Sequence, residues 1–208
     1  MGISIDQMVG EQFKPTKEEL DILSDTRFLM LKESLAKKVI SRLAGIEHEI
    51  KIQLKESAFN FPENALIQAG KISRGENYNG LPYFVLDFPR LFTQKSIFTF
   101  RTMLWWGNEF SCTMHLSGDA LSMINEQCLT QIKEQQDLYF CVNRSPWEYH
   151  FGKDNYVPAS TLDIGEMTEH IHQHKFMKIS RHIPVQKWDE FEAFTLGSFA
   201  QYLLLLKS

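Results

Sequence analysis

SIFTFRTMLWWGNEFSCTMHLS, residues 96–117, is the stretch on which the fold turns. Two runs of alternating apolar and polar residues flank Gly107-Asn108, a pair of strong turn formers. A side-chain period of two belongs to a β-strand, and a tight turn between two such runs makes them antiparallel neighbours. In the second run Phe110, Cys112, Met114 and Leu116 form one face, and Glu109, Ser111, Thr113 and His115 the other. The first run separates Phe98, Phe100, Thr102 and Leu104 from Ile97, Thr99, Arg101, Met103 and Trp105.

Residues opposed across an antiparallel ladder share a face, so the length of the loop decides which sets meet. A strict two-residue loop sets Trp106 opposite Glu109 and drops Arg101 among the core residues. A three-residue loop sets Trp105 opposite Glu109, pairs Phe100 with Met114 and Leu104 with Phe110, and keeps the core face apolar. The second register is therefore expected. It sets Arg101 opposite Thr113 and Thr99 opposite His115. In the preceding run, Tyr83 and Asp87 fall on the side away from Phe84, Leu86 and Phe88, and so on this same second face. Tyr83, Asp87, Arg101, Trp105, Glu109 and His115 together form the candidate ligand-binding set: a phenol, two carboxylates, a guanidinium, an indole and an imidazole suited to a small anionic or aromatic ligand. The plainer expectation is that helices cover this face and Arg101 is ion-paired beneath them.

Outward from the hairpin, 69–74 and 81–88 read as two further strands, joined through the turn-rich Gly75–Gly80, so the middle of the chain is a β-meander. Residues 138–143 and 176–183 add strands, with a short one at 147–151. Upstream, Thr16-Lys17-Glu18-Glu19 has the form of a capping box, and Asp25 caps a much longer helix. Its apolar stripe, Phe28, Leu31, Leu35, Val39, Leu43, Ile46, Ile50 and Leu54, spans about 27 residues, or roughly 40 Å of helix. A second partial stripe of Leu29, Ala36 and Ile40 predicts cover on more than one side, and Gly45 marks a bend. Asp119 is the expected cap of a helix reaching to about residue 136. Ser160-Thr161-Leu162-Asp163 opens a short helix, and 185–206 closes the chain with another. Tyr202–Leu206 is apolar all round and is expected to be buried, with a homodimer contact as the other way to cover it.

The fold class read from this pattern is α+β: an antiparallel sheet of about five to seven strands, packed by a long N-terminal and a C-terminal helix. Residues 1–208 read as one domain, with 1–15 as an unpatterned arm. Twenty-six aromatic side chains, 16 of them Phe, supply a large core. A net charge of −4, with basic residues interleaved among acids, excludes a general grip on nucleic acid. No apolar run is long enough for a membrane span, and the N-terminus lacks the pattern of a signal peptide. Three cysteines without CxxC spacing read as buried free thiols in a reducing, cytoplasmic setting.

No phosphate loop, dinucleotide turn, nucleophile elbow or HExxH helix occurs, and no cofactor is implied. A second cluster is Glu166-x3-His170-x-His172-x-His174. On a helix Glu166, His170 and His174 climb one face, the spacing of metal ligands. Three functions follow. The leading one is a non-catalytic protein binding a protein partner or small ligand through the mixed face. The alternatives are an enzyme with a dispersed Arg/His/carboxylate site and a His-rich metal protein.

Overall fold

Alternation in the middle of the chain and helical periodicity at its ends are what the computed structural model realises over residues 14–207. Most of the arm expected at residues 1–15 lies outside the described residues. The chain divides into two compact units, Met1–Val39 and Ile40–Ser208. The described part of the first contains α1 (Lys17–Ser24) and the beginning of α2 (Thr26–Glu56). Thr16 and Glu19 close the expected capping box, and Asp25 accepts from the Phe28 amide at 2.9 Å to start α2. The helix continues through Gly45.

The second unit is built on one seven-stranded antiparallel sheet: β1 (Lys71–Tyr78), β2 (Leu81–Phe92), β3 (Ser96–Trp105), β4 (Glu109–Gly118), β5 (Tyr139–Cys141), β6 (Tyr156–Pro158) and β7 (Phe176–Pro184). Its order is β1-β2-β3-β4-β7-β5-β6. The fold is α+β, as the alternation requires. In the decisive hairpin Phe100 pairs with Met114, Leu104 with Phe110, and Arg101 with Thr113, the register that keeps one face apolar. The β1–β2 turn is shorter than the sequence suggests. Asn79 and Gly80 alone take positive φ (50° and 82°), a two-residue turn matched to strand twist, while Gly75–Tyr78 remains in the strand.

Helices α3 (Glu126–Glu134), α4 (Ile164–His174) and α5 (Phe191–Leu205) complete the unit. The helix expected from Asp119 begins later. Gly118 holds φ +60°, where an added Cβ would meet the Lys95 carbonyl oxygen at 1.7 Å, and only a 3-10 turn follows over Asp119–Met123. The cap of α3 is instead Asn125, whose side chain accepts from the Cys128 amide at 2.8 Å. The strand expected at 147–151 is also displaced: Tyr156–Pro158 is the segment that pairs with β5.

The two faces of the sheet are covered differently. The apolar face carries Phe98, Phe100, Phe110, Met114, Leu116 and Ile179, all at most 1% exposed. α5 packs on it through ring contacts of Phe199 with Phe100 (5.1 Å between centroids) and Phe191 with Phe110 (4.0 Å). The part of α2 that belongs to this unit buries Leu43, Ile46 and Ile50 completely. Tyr202, Leu203, Leu205 and Leu206 are buried, so the apolar tail is part of this core, with Leu204 turned outward. Among the described residues no helix is long and apolar enough to cross a membrane.

Candidate functional site

The opposite face is polar and organised in rows by the strand register. One row runs Asp87, Arg101, Thr113, Ser180 and Tyr139 across five strands. The next contains Thr99, His115 and Lys178, and the row on the other side contains Val85, Met103, Ser111 and His182. At the hairpin tip stand Tyr83, Trp105 and Glu109. All six residues of the candidate ligand set therefore emerge from one side of the sheet.

Where helices were expected, the irregular segment 142–155 between β5 and β6 covers that side over Arg101 and Lys178. Tyr78 and Lys178 hold it down. The Tyr78 hydroxyl accepts from the Tyr149 and His150 amides at 2.6 and 3.0 Å, and lies 3.1 Å from a Glu148 carboxylate oxygen as donor. The Lys178 ammonium donates to the Glu148 carbonyl. Between these anchors the Tyr149 ring sits 4.6 Å from the Arg101 guanidinium and 4.6 Å from the Lys178 ammonium, a position in which its π-face meets both cations.

Arg101 is engaged with Asp87 through two hydrogen bonds, Nε to Oδ1 at 2.7 Å and Nη2 to Oδ2 at 2.8 Å. Thr99 adds its hydroxyl to the same carboxylate at 3.4 Å. Burial alone would lower the Arg101 pKa, but Tyr149 and Asp87 more than offset it, and the guanidinium titrates above its ordinary range. His115 has no such compensation. Its ring is fully buried between Trp147 and Phe176, and neither nitrogen has a hydrogen-bond partner among the described residues. Burial, and then the charges of Lys178 and Arg101, hold its pKa down at about 3. Lys178 is also fully buried, with its charge met by a carbonyl and aromatic faces in place of a carboxylate, and burial lowers its pKa to about 8. The Cys141 thiol is pushed up by burial and eased back by the neighbouring Lys178.

The face opens at the hairpin tip. A recess of about 410 Å³ is lined by Asn79, Trp105, Asn108, Glu109, His150, Phe151 and Gly152. The Trp105 indole N–H donates to the Tyr78 carbonyl at 3.1 Å, which fixes the ring. Glu109 lies 3.6 Å from His182, and His182 stacks on Phe151 with centroids 3.9 Å apart. Trp105 and Glu109 thus reach the recess. Tyr83 packs with Tyr78 and Trp105 against the small cluster of Val85, Met103 and Tyr149, while Asp87, Arg101 and His115 lie under the cover. Two larger recesses, about 690 and 650 Å³, are lined by other residues, among them Lys95 with Asp119 and Glu169 with His172.

The second candidate cluster is divided. Glu166 is the third residue of α4, and its carboxylate accepts from the Asp163 amide at 2.8 Å while Asp163 accepts from the Glu166 amide at 2.7 Å. That is a capping box, and it occupies the carboxylate. His170 and His174 remain neighbours, with rings 4.7 Å apart, and His170 packs on Phe140 and Phe176. Burial, and then His174, lower the His170 pKa to about 4. Among the described residues no three His, Cys, Asp or Glu side chains are grouped to hold a metal ion.

Lys178, Tyr149 and Tyr156 are central to the polar face and absent from the sequence-derived set. For Lys178 the signal is present: in Met177-Lys178-Ile179-Ser180 the alternation puts Lys178 and Ser180 on the polar side once β7 is known to pair with β4. Tyr149 carries no such signal, because it belongs to an irregular segment. No protein-family model, curated protein or solved structure matches this chain.

Proposed function

We propose that this chain is a cytoplasmic, non-catalytic binding protein whose recess at the hairpin tip takes a small, flat ligand bearing a cationic or hydrogen-bond-donating group. The observation that carries this reading is the Glu109 carboxylate beside the Trp105 indole in a concavity of about 410 Å³, with Phe151 on its wall. Pockets of this size, part aromatic and part polar, suit small-molecule recognition, and an aromatic face next to a carboxylate favours a cation over an anion. The deeper polar row supports a binding role more than an enzymatic one. Asp87 and Arg101 satisfy each other, and His115 is sealed under aromatic side chains. The cytoplasmic setting is supported by Cys112, Cys128 and Cys141, all free and buried.

The test is calorimetric titration with aromatic amines, starting from tryptamine. Binding by the wild-type chain is expected, with a loss of about tenfold or more in Glu109→Gln, as removal of a charged hydrogen-bonding partner implies. Trp105→Ala should weaken binding further. Equal affinity in all three proteins would remove the recess from consideration. A preference for aromatic carboxylates would reverse the proposed ligand charge.

A further inference from the structure

Among the described residues, the first unit presents an apolar surface that no other part of it covers. Along α1 and the first turns of α2, Ile22, Leu23, Phe28, Met30, Leu31 and Leu35 are exposed at between 38% and 73%. Leu29, from the second stripe, stands 45% exposed, and no residue of α1 is buried. Isolated exposed leucines are ordinary, but Phe28, Leu31 and Leu35 fall on one face of α2 at helical spacing, and so many exposed large apolar side chains within two short helical segments are of the kind that marks an interface. A stripe written at helical spacing and left in water is not stable as an isolated element; helices draw most of their stability from packing that face.

The charges beside the stripe identify what covers it. Segment 17–25 holds Glu18, Glu19, Asp21 and Asp25 against the single base Lys17. Segment 26–39 holds Arg27, Lys32, Lys37 and Lys38 against the single acid Glu33. Each segment is three charges out of balance, and the two imbalances have opposite sign. Two copies laid parallel would set acid on acid and base on base. Two copies laid antiparallel, about a two-fold axis near the start of α2, set the acidic segment of each against the basic segment of the other. Such a surface is self-complementary, as a two-fold interface requires. Both helices also bring apolar side chains to the contact, so one geometry buries the stripe and pairs the charges.

We infer that the chain forms an antiparallel homodimer through α1 and the N-terminal turns of α2. The inference is independent of the ligand site, since neither segment lines the recess at the hairpin tip.

Sedimentation velocity of the full chain from 1 to 100 µM tests it. A species of twice the 24.3 kDa chain mass is expected, with affinity falling as salt is raised from 50 to 500 mM. Phe28→Glu/Leu31→Glu should weaken dimerisation at least 100-fold while the circular dichroism of the sheet is retained, because both side chains are exposed. Charge exchange supplies the orientation. Glu18→Lys/Asp21→Lys and Lys37→Glu/Lys38→Glu should each weaken self-association about tenfold or more, and an equimolar mixture should recover the dimer. A wild-type monomer at 100 µM would overturn the inference, as would a dimer unchanged by Phe28→Glu/Leu31→Glu. Flotation of a monomeric chain with phosphatidylserine vesicles would assign the patch to a lipid surface instead.

Discussion

The two faces of this sheet are both buried, but by different means. On the apolar face α5 brings Phe191, Phe199 and Tyr202 against Phe100 and Phe110, with rings 4.0 to 5.9 Å apart, and the later turns of α2 bury Leu43, Ile46 and Ile50. On the other face an irregular segment is drawn over Asp87, Arg101, His115, Lys178 and Ser180 by specific polar bonds and by the Tyr149 ring. The first solution tolerates imprecision, because dispersion and the hydrophobic effect are non-directional. The second does not, because every buried polar group left without a partner costs about 1–3 kcal/mol. The polar face accordingly shows both outcomes: Arg101 makes two hydrogen bonds to Asp87, while His115 and the Tyr149 hydroxyl have no partner among the described residues.

Breaking the ion pair should give the largest effect. Arg101→Ala leaves the Asp87 carboxylate, only 5% exposed, without its guanidinium, and a loss of about 3–5 kcal/mol in urea unfolding is expected. The double variant Asp87→Leu/Arg101→Met removes both charges and should recover most of that loss, since two apolar residues of similar volume replace the pair. On the apolar face Phe100→Ala should cost a similar ~3–5 kcal/mol through the cavity it leaves, but no single second-site deletion should restore it. If the double variant were as unstable as Arg101→Ala, the polar face would depend on shape and packing as the apolar one does.

Acid should act next, and chiefly on the polar face. Unfolded His115 takes up a proton near pH 6.5, whereas the folded chain holds the ring neutral down to about pH 3. Between these values the unfolded state binds more protons, so stability falls as the pH is lowered through that window. The linkage from His115 amounts to about 2–3 kcal/mol between pH 6.5 and pH 4.5. His115→Phe keeps a ring between Trp147 and Phe176 and removes the titration, so its melting temperature should fall less over the same interval. A shallower slope should persist in that variant from His170, which burial also holds below its ordinary range but which is less enclosed. Identical slopes for wild type and His115→Phe would mean that the ring is protonated in the folded chain.

How much of this was legible follows from where the periodicity lay. The hairpin register was, because sliding it by one residue would set Arg101 opposite Met114, on the side of Phe110, Cys112 and Leu116, and one face had to stay apolar. The same parity put Asp87 on the face of Arg101; that the two stand opposite each other across β2 and β3 was not read from it. The short-range caps were mixed. Asp25 was readable, but Asp119 lost its role to Asn125 because Gly118 turns the chain at positive φ just before it. Glu166 looked like a metal ligand by its spacing to His170, when the same residue stands three after Asp163, the spacing of a capping box. What sequence pattern could not reach was the cover. Segment 142–155 has no period, and its position over Arg101 and Lys178 depends on pairings distant in the chain, Tyr156 with Cys141 and Lys178 with His115.

The smallest effect discriminates the faces most finely, because one substitution should have opposite signs on them. Tyr202 belongs to α5, and its buried hydroxyl donates to the Cys112 carbonyl at 2.8 Å. Tyr202→Phe deletes that bond and should cost about 1 kcal/mol, the usual net value of a buried hydrogen bond. Tyr149 lies on the cover; its hydroxyl has no hydrogen-bond partner among the described residues, and burial pushes its pKa up to about 12. Tyr149→Phe removes a desolvated polar group and leaves the ring over both cations, so it should be neutral or stabilise by up to ~1 kcal/mol. Paired chemical denaturation of the two variants at pH 7.5 reads the sign directly. A loss of 1 kcal/mol or more from Tyr149→Phe would mean that the hydroxyl is hydrogen-bonded in solution, and that the cover over Arg101 sits differently from the arrangement described.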